Sequence, residues 1–151
     1  MPHSVDNLFF QTQACRLRSE RGRFRKSICI TRLDDTVILF CGKLVPRKDP
    51  LTLLRAFAQL RKRSQCSLVF AGDGPLRATL EAVVAAEAIP DVHITGFLNQ
   101  SQISSAYAAA DFIVLPSVSR ETWGLTINEA MNFGIPALVS DKVGCANELV
   151  L

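Results

Sequence analysis

The sequence predicts an α/β fold: a doubly wound parallel sheet in three αβα layers. Two observations predict it. Short apolar, β-branched runs such as Phe112-Ile113-Val114-Leu115 have the unbroken character of strands buried on both faces. These runs alternate five times with helical patterns, joined by short links, which demands right-handed crossovers and helices on both faces.

Taken in order, residues 1–35 show no clear period, are rich in Arg, Ser and Gln, and read as a basic tail or linker remnant ahead of a domain over 36–151. Thr36 to Gly42 is the first strand, and Lys43 to Lys48 a loop. Asp49 caps a helix with Pro50 at its first position, a favoured pairing. That helix runs to about Arg63 with Leu51, Leu54, Phe57, Ala58 and Leu60 inward. Ser67 to Ala71 is the second strand, followed by the turn Gly72-Asp73-Gly74-Pro75 and a helix to about Ala88, with Leu76, Leu80, Val83 and Val84 inward. Turn and helix-start geometry alone account for those glycines and Pro75. Val92 to Thr95 is a short third strand, and a helix from about Gln102 to Ala110 follows a Ser101 cap. The fourth strand, 112–115, ends at Pro116. A helix from Gly124 sets Leu125, Ile127, Ala130, Met131 and Phe133 on one face before Gly134-Ile135-Pro136 stops it. Ala137 to Val139 is the fifth strand, and a further helix begins at about Ala146.

In a doubly wound sheet the first and fourth strands are neighbours at the switch point, and ligands bind outside their carboxyl ends. The loop after strand one holds Gly42, Lys43 and Lys48; the loop after strand four holds Glu121. Glu129 lies about one turn into the helix that follows, whose first turn holds Leu125 and Thr126. A helix N-terminus suits an anion. Two carboxylates beside an anion site need another task, and accepting hydrogen bonds from sugar or ribose hydroxyls is one. Two glutamates in isolation would do no more than favour the helix dipole, by about 0.3–1 kcal/mol each.

The stretch Glu121-Thr-Trp-Gly-Leu-Thr-Ile-Asn-Glu129-Ala-Met-Asn-Phe-Gly-Ile-Pro136 resembles the EX7E motif of retaining glycosyltransferases of the GT-B fold, group 1 family. Gly42-Lys43-Leu44-x3-Lys48 resembles that family's G-R-L-x3-K segment, with Lys where Arg is commoner, and Gly72-Asp73-Gly74-Pro75 matches its G-D-G-P turn. The resemblance covers about residues 36–151 and implies the Rossmann-like, donor-binding half of a GT-B enzyme. It implies a nucleotide-diphospho-sugar donor (UDP-, GDP- or ADP-sugar), no tightly bound cofactor and no catalytic metal. Glu121, Lys43 and Lys48 would carry the chemistry, the lysines holding the diphosphate and Glu121 the transferred sugar. Gly42, Leu125, Thr126, Glu129 and Phe97 would bind the donor, Glu129 at the ribose and Phe97 near the base. Lysine keeps arginine's charge but loses its bidentate fork. Trp123 could line the cleft or belong to the core. An acceptor sugar or lipid would be held by a missing N-terminal domain, so the chain alone would bind donor without efficient transfer. The alternative is a catalytically inactive nucleotide-binding module acting with a partner.

Composition bounds the rest. A chain of 151 residues with 48% apolar content has room for one well-formed core. No apolar run approaches the roughly 20 residues of a membrane helix. Five cysteines, Cys15, Cys29, Cys41, Cys66 and Cys145, form no C-x-x-C pair, which suggests a reducing, cytoplasmic setting. Through Arg32 the chain has seven Arg or Lys against Asp6 and Glu20, and thereafter ten against twelve acids, giving the overall +3. The basic excess at Arg16, Arg18, Arg21, Arg23, Arg25 and Lys26 suits a solvated linker; it could also make weak, peripheral contact with a membrane surface. No aromatic platform or nucleic-acid motif accompanies it, so no nucleic-acid partner is expected.

Overall fold

The computed structural model describes residues 4–119 and 121–149. Its centre is a five-stranded parallel sheet in the order β3-β2-β1-β4-β5. The strands are β1 (Thr36–Cys41), β2 (Cys66–Ala71), β3 (Val92–Gly96), β4 (Phe112–Leu115) and β5 (Ala137–Val139). β1 pairs with β2 on one side, Thr36 opposite Cys66 through Cys41 opposite Ala71, and with β4 on the other, Ile38 opposite Phe112. The expected switch point is therefore between β1 and β4. From β1 to β2 to β3 the chain winds one way, and from β4 to β5 the other. Val37 to Phe40 and Leu68 to Phe70 are almost wholly buried, so continuous apolar runs here do mark strands covered on both faces.

Between the strands run α3 (Pro50–Arg61), α4 (Arg77–Ala86), α5 (Gln100–Ala109), α6 (Leu125–Met131) and α7 (Ala146–Leu149). Asp49 accepts from Thr52 N at 3.3 Å and caps α3, with Pro50 at the first position. The inward face of α3 is Pro50, Leu53, Leu54 and Phe57; Leu60 is exposed, because the helix phase puts Leu53 rather than Leu60 over the sheet. On α5 the cap is Asn99, not Ser101: Asn99 Oδ1 accepts from Gln102 N and Gln102 Oε1 from Asn99 N, a reciprocal capping box. On α6 only Ile127 and Ala130 are buried. Leu125 and Met131 face outward, since a seven-residue helix opened by left-handed Gly124 shows the sheet a single turn.

Residues 4–35 are not a free linker. They contain α1 (Asn7–Leu17) and α2 (Arg21–Ser27), joined by one 3-10 turn. Both pack against α5. Phe10, Leu17 and Ile30 are buried, and the Phe10 ring meets Tyr107 and Phe133 edge-on at 6.4 Å. The basic run is partly internal. Arg25, 2% exposed, donates to the carbonyls of Ala109 and Asp35 and to Asp111 Oδ2 at 2.8 Å. Asp111 also pairs with Arg21 and accepts from Val37 N at 2.7 Å. This clamp sits where β1 and β4 begin, at the opposite end of the sheet from the predicted site. An arginine-rich stretch looks solvated in the sequence; here one guanidinium is sunk and its donors are met by carbonyls.

Candidate functional site

The site grows from the carboxyl ends of β1, β2 and β4. Two loops are laced together first. Gly42 N donates to Ala71 O at 3.0 Å, Leu44 N to Asp73 O at 2.9 Å, and Leu76 N to Leu44 O at 3.0 Å. A Cβ on Gly72 would stand 1.9 Å from Gly42 O, and one on Gly74 2.6 Å from Leu44 O. Close approach of backbones, beyond turn geometry, requires glycine at both positions. Leu44, fully buried, anchors the β1 loop from below.

That lacing shapes a cleft of about 930 Å³ whose walls include Gly42 and Lys43 from the β1 loop, Gly72 to Pro75 from the β2 loop, Phe97 and Leu98 beyond β3, and Glu129 from α6. Its size lies in the roughly 300–1,000 Å³ range of small-molecule sites. Lys43 is exposed and makes no ion pair among the described residues. Phe97 is 78% exposed at the rim, an unusual position for a large aromatic.

The second lysine goes elsewhere. Lys48 is buried, and its Nζ donates to Glu121 Oε1 at 2.7 Å. A side chain on Gly42 would crowd it, since a Cβ there would come within 3.2 Å of that Nζ. Ser117, also buried, donates its hydroxyl to Glu121 Oε2 at 2.7 Å. The Glu121 loop is tied to the chain beyond β5 by Glu121 N to Lys142 O at 2.9 Å, Gly144 N to Glu121 O at 3.0 Å and Cys145 N to Trp123 O at 3.0 Å. Val118 N bridges to Arg47 O at 2.9 Å and joins the β1 and β4 loops. Arg47 is exposed. Burial alone would raise the Glu121 carboxyl, but the hydrogen bonds from Lys48 and Ser117 and the Lys48 charge outweigh it and hold it below its ordinary value.

Glu129 behaves oppositely. Tyr107, the chain's one tyrosine and fully buried, donates its hydroxyl to Glu129 Oε2 at 2.6 Å. Burial pushes the Glu129 carboxyl above its ordinary value, with the Tyr107 bond pulling the other way. Burial likewise pushes the adjoining Cys41 thiol up to about 11. Leu125 and Thr126 open α6 outside the cleft walls. Leu125 is exposed, while Thr126 Oγ1 is buried and has no hydrogen-bond partner among the described residues. Trp123 packs against the core and donates Nε1 to Asn128 Oδ1 at 2.8 Å. Its core role is thus filled; it does not line the cleft.

The structure therefore gathers Gly42, Lys43, Phe97 and Glu129 around one cleft and sets Lys48 with Glu121 as a buried pair between the β1 and β4 loops. Ser117 and Tyr107 complete the constellation, and sequence reasoning missed both. Ser117 follows Pro116 at a strand exit and Tyr107 sits in the body of a helix, so neither lies in a motif that marks it. Among the described residues no group of three or more His, Cys, Asp or Glu side chains is gathered to hold a metal ion. Nor, among them, is any helix long and apolar enough to cross a membrane.

The profile of the family described as glycosyl transferases group 1 matches residues 26–151. An uncharacterized glycosyltransferase of Methanocaldococcus jannaschii, MJ1607, is 36% identical over 132 residues, covering 87% of this chain and 33% of that protein. The alpha-D-kanosaminyltransferase of Streptomyces kanamyceticus is 36% identical over 121 residues, covering 78% and 31%. The chain thus spans about a third of the length of the curated relatives it matches. Among solved structures, Anabaena Alr3699/HepE in complex with UDP and glucose superposes with a TM-score of 0.76 at 25% identity, covering 88% of this chain and 36% of that one.

Proposed function

The chain belongs to the group 1 glycosyl transferases, and from that premise we propose that it binds the nucleotide-diphospho-sugar donor of a retaining transfer. The observation that carries this reading is the cleft outside the carboxyl ends of β1 and β2, with Gly42 and Lys43 on one wall and Glu129, from the helix that follows β4, on another. Lys43, without an ion pair among the described residues, is a point charge for the donor diphosphate. Glu129 accepts from the ribose hydroxyls, and Phe97 flanks the base. The first-turn N–H groups of Leu125 and Thr126 serve phosphate or sugar from the start of α6. Glu121 answers the transferred sugar. Lys48 orients it now and turns to the diphosphate when donor arrives, stabilising charge on the departing nucleotide. UDP and UDP-glucose occupy the solved neighbour Alr3699/HepE, which supports a nucleoside diphosphate here without naming its base.

In this reading the sugar's bond to the diphosphate breaks and an acceptor hydroxyl oxygen takes its place on the same face, its proton passing to the departing diphosphate. The acceptor, a sugar or a lipid, is held by protein beyond these 151 residues. The chain alone then binds donor and transfers poorly.

A thermal-unfolding panel with UDP, GDP, ADP and their sugar conjugates, with and without Mg²⁺, tests this. At about 100 times Kd, linkage predicts about 2.7 kcal/mol, or roughly 5–10 °C for a domain of this size. A shift confined to one nucleotide series names the base. No shift for any nucleotide, with the protein folded, would overturn the reading; a shift that appears only with Mg²⁺ would overturn the metal-free part of it.

A further inference from the structure

We propose that Tyr107 is a positioning residue for the nucleotide site: it holds Glu129 by one oxygen so that the other is presented to a pair of neutral vicinal hydroxyls. The inference rests on the donor-site reading above and adds a residue that no sequence motif marks.

The geometry is specific. The Tyr107 hydroxyl is 2.6 Å from Glu129 Oε2, while Oε1 accepts no hydrogen bond from any described residue. Cys41 Sγ stands 3.4 Å from the same phenol oxygen. A phenol has one proton, and with that proton donated in the hydrogen bond to the carboxylate its oxygen can only accept a further bond, which suits the thiol as donor. The result is a chain across three elements, from the end of β1 through α5 to α6, finishing on a carboxylate in the cleft wall. Tyr107 itself cannot swing: its ring is wedged between Phe10 at 6.4 Å and Phe133 at 5.5 Å. The phenol therefore fixes where Oε2 stands, and the planar carboxylate fixes Oε1 with it.

A carboxylate oriented this way favours donors that reach Oε1 from one direction, as the adjacent hydroxyls of a ribose would. A free carboxylate rotates and accepts from any donor; one tied at Oε2 offers a single acceptor in one direction. The charged and titratable groups about it are Tyr107 from α5, Cys41 from β1 and, across the cleft, Lys43 and Asp73 from the two laced loops. Asp73 is engaged with Arg77 at 3.3 Å, so the wall opposite Glu129 adds little repulsion.

The test compares UDP, GDP and ADP with their 2′,3′-dideoxy analogues, binding to the wild-type chain and to Tyr107→Phe by calorimetry across pH. Wild type should prefer the ribo form by at least about tenfold, the worth of one hydrogen bond to a charged acceptor. In Tyr107→Phe that preference should fall several-fold, without vanishing, while dideoxy affinity holds. The acid limb of ribonucleotide binding should also move to higher pH, because the lost phenol bond was lowering the Glu129 carboxyl. Equal weakening of ribo and dideoxy forms, or a fall in thermal stability alone, would make Tyr107 a core residue and overturn the proposal. A wild type that binds nucleotides without distinguishing ribo from dideoxy overturns it too, leaving the donor site standing. A wild type that binds no nucleotide overturns both.

Discussion

At the scale of single residues, two glutamates with seven residues between them have been given opposite environments. Glu121 is matched by Lys48 and Ser117 and kept ionised; Glu129 is matched only by a neutral phenol and kept easier to protonate. The Lys48–Glu121 side chains are 8% and 12% exposed, so removing one strands the other. Lys48→Met should cost roughly 3–5 kcal/mol in urea denaturation at neutral pH, and Lys48→Met with Glu121→Gln should recover most of it. The sign with pH follows from the lowered carboxyl. A depressed folded pKa stabilises above the ordinary glutamate value and loses that contribution as pH falls through the lowered one. Wild-type stability should therefore drop on acidification through this range, and the double variant should lack that part of the drop.

At the scale of elements, the site is held by loops that touch through backbone. Gly144 shows it: a Cβ there would stand 2.2 Å from Thr122 O, within the segment that carries Glu121. Gly144→Ala should cost about 1–3 kcal/mol and weaken nucleotide binding more than its stability loss explains, read by calorimetry beside thermal unfolding. The strands and most helices were legible in the sequence because burial on both faces leaves unbroken apolar runs, and because Asp49-Pro50 and Gly134 punctuate helices in recognised ways. That the loops after β1 and β4 would meet, Lys43 and Lys48 on one and Glu121 on the other, was legible from topology alone. What the sequence hid were contacts made across it. Nothing near Lys48 announces that Glu121 will claim it, 73 residues away. Tyr107 reads as one aromatic among the apolar residues of α5. Residues 1–35 read as a tail because their strongest signal, arginine, normally means water.

At the scale of the whole molecule, the Arg25–Asp111 clamp joins the N-terminal helices to the starts of β1 and β4. Arg25 serves two backbone carbonyls and a carboxylate from a buried position, so Arg25→Ala should release α1 and α2 rather than merely soften them. Hydrogen exchange should show residues 7–27 losing protection while β1 and β2 keep theirs. Uniform loss across the chain would mean that the helices and the sheet unfold as one unit.

The same clamp sets an order of events at synthesis. Arg25 closes onto Ala109 over 84 residues and Arg21 onto Asp111 over 90. A ribosome adding roughly 5–20 residues per second needs about 4–17 s to make the first of those intervals. α1 and α2 are thus docked only once α5 and the start of β4 have been made, and their buried faces, Phe10 and Leu17, stay uncovered until then. The outward arginines have a use in that interval, since a strongly cationic nascent segment resists self-association while its partner helix is still being made.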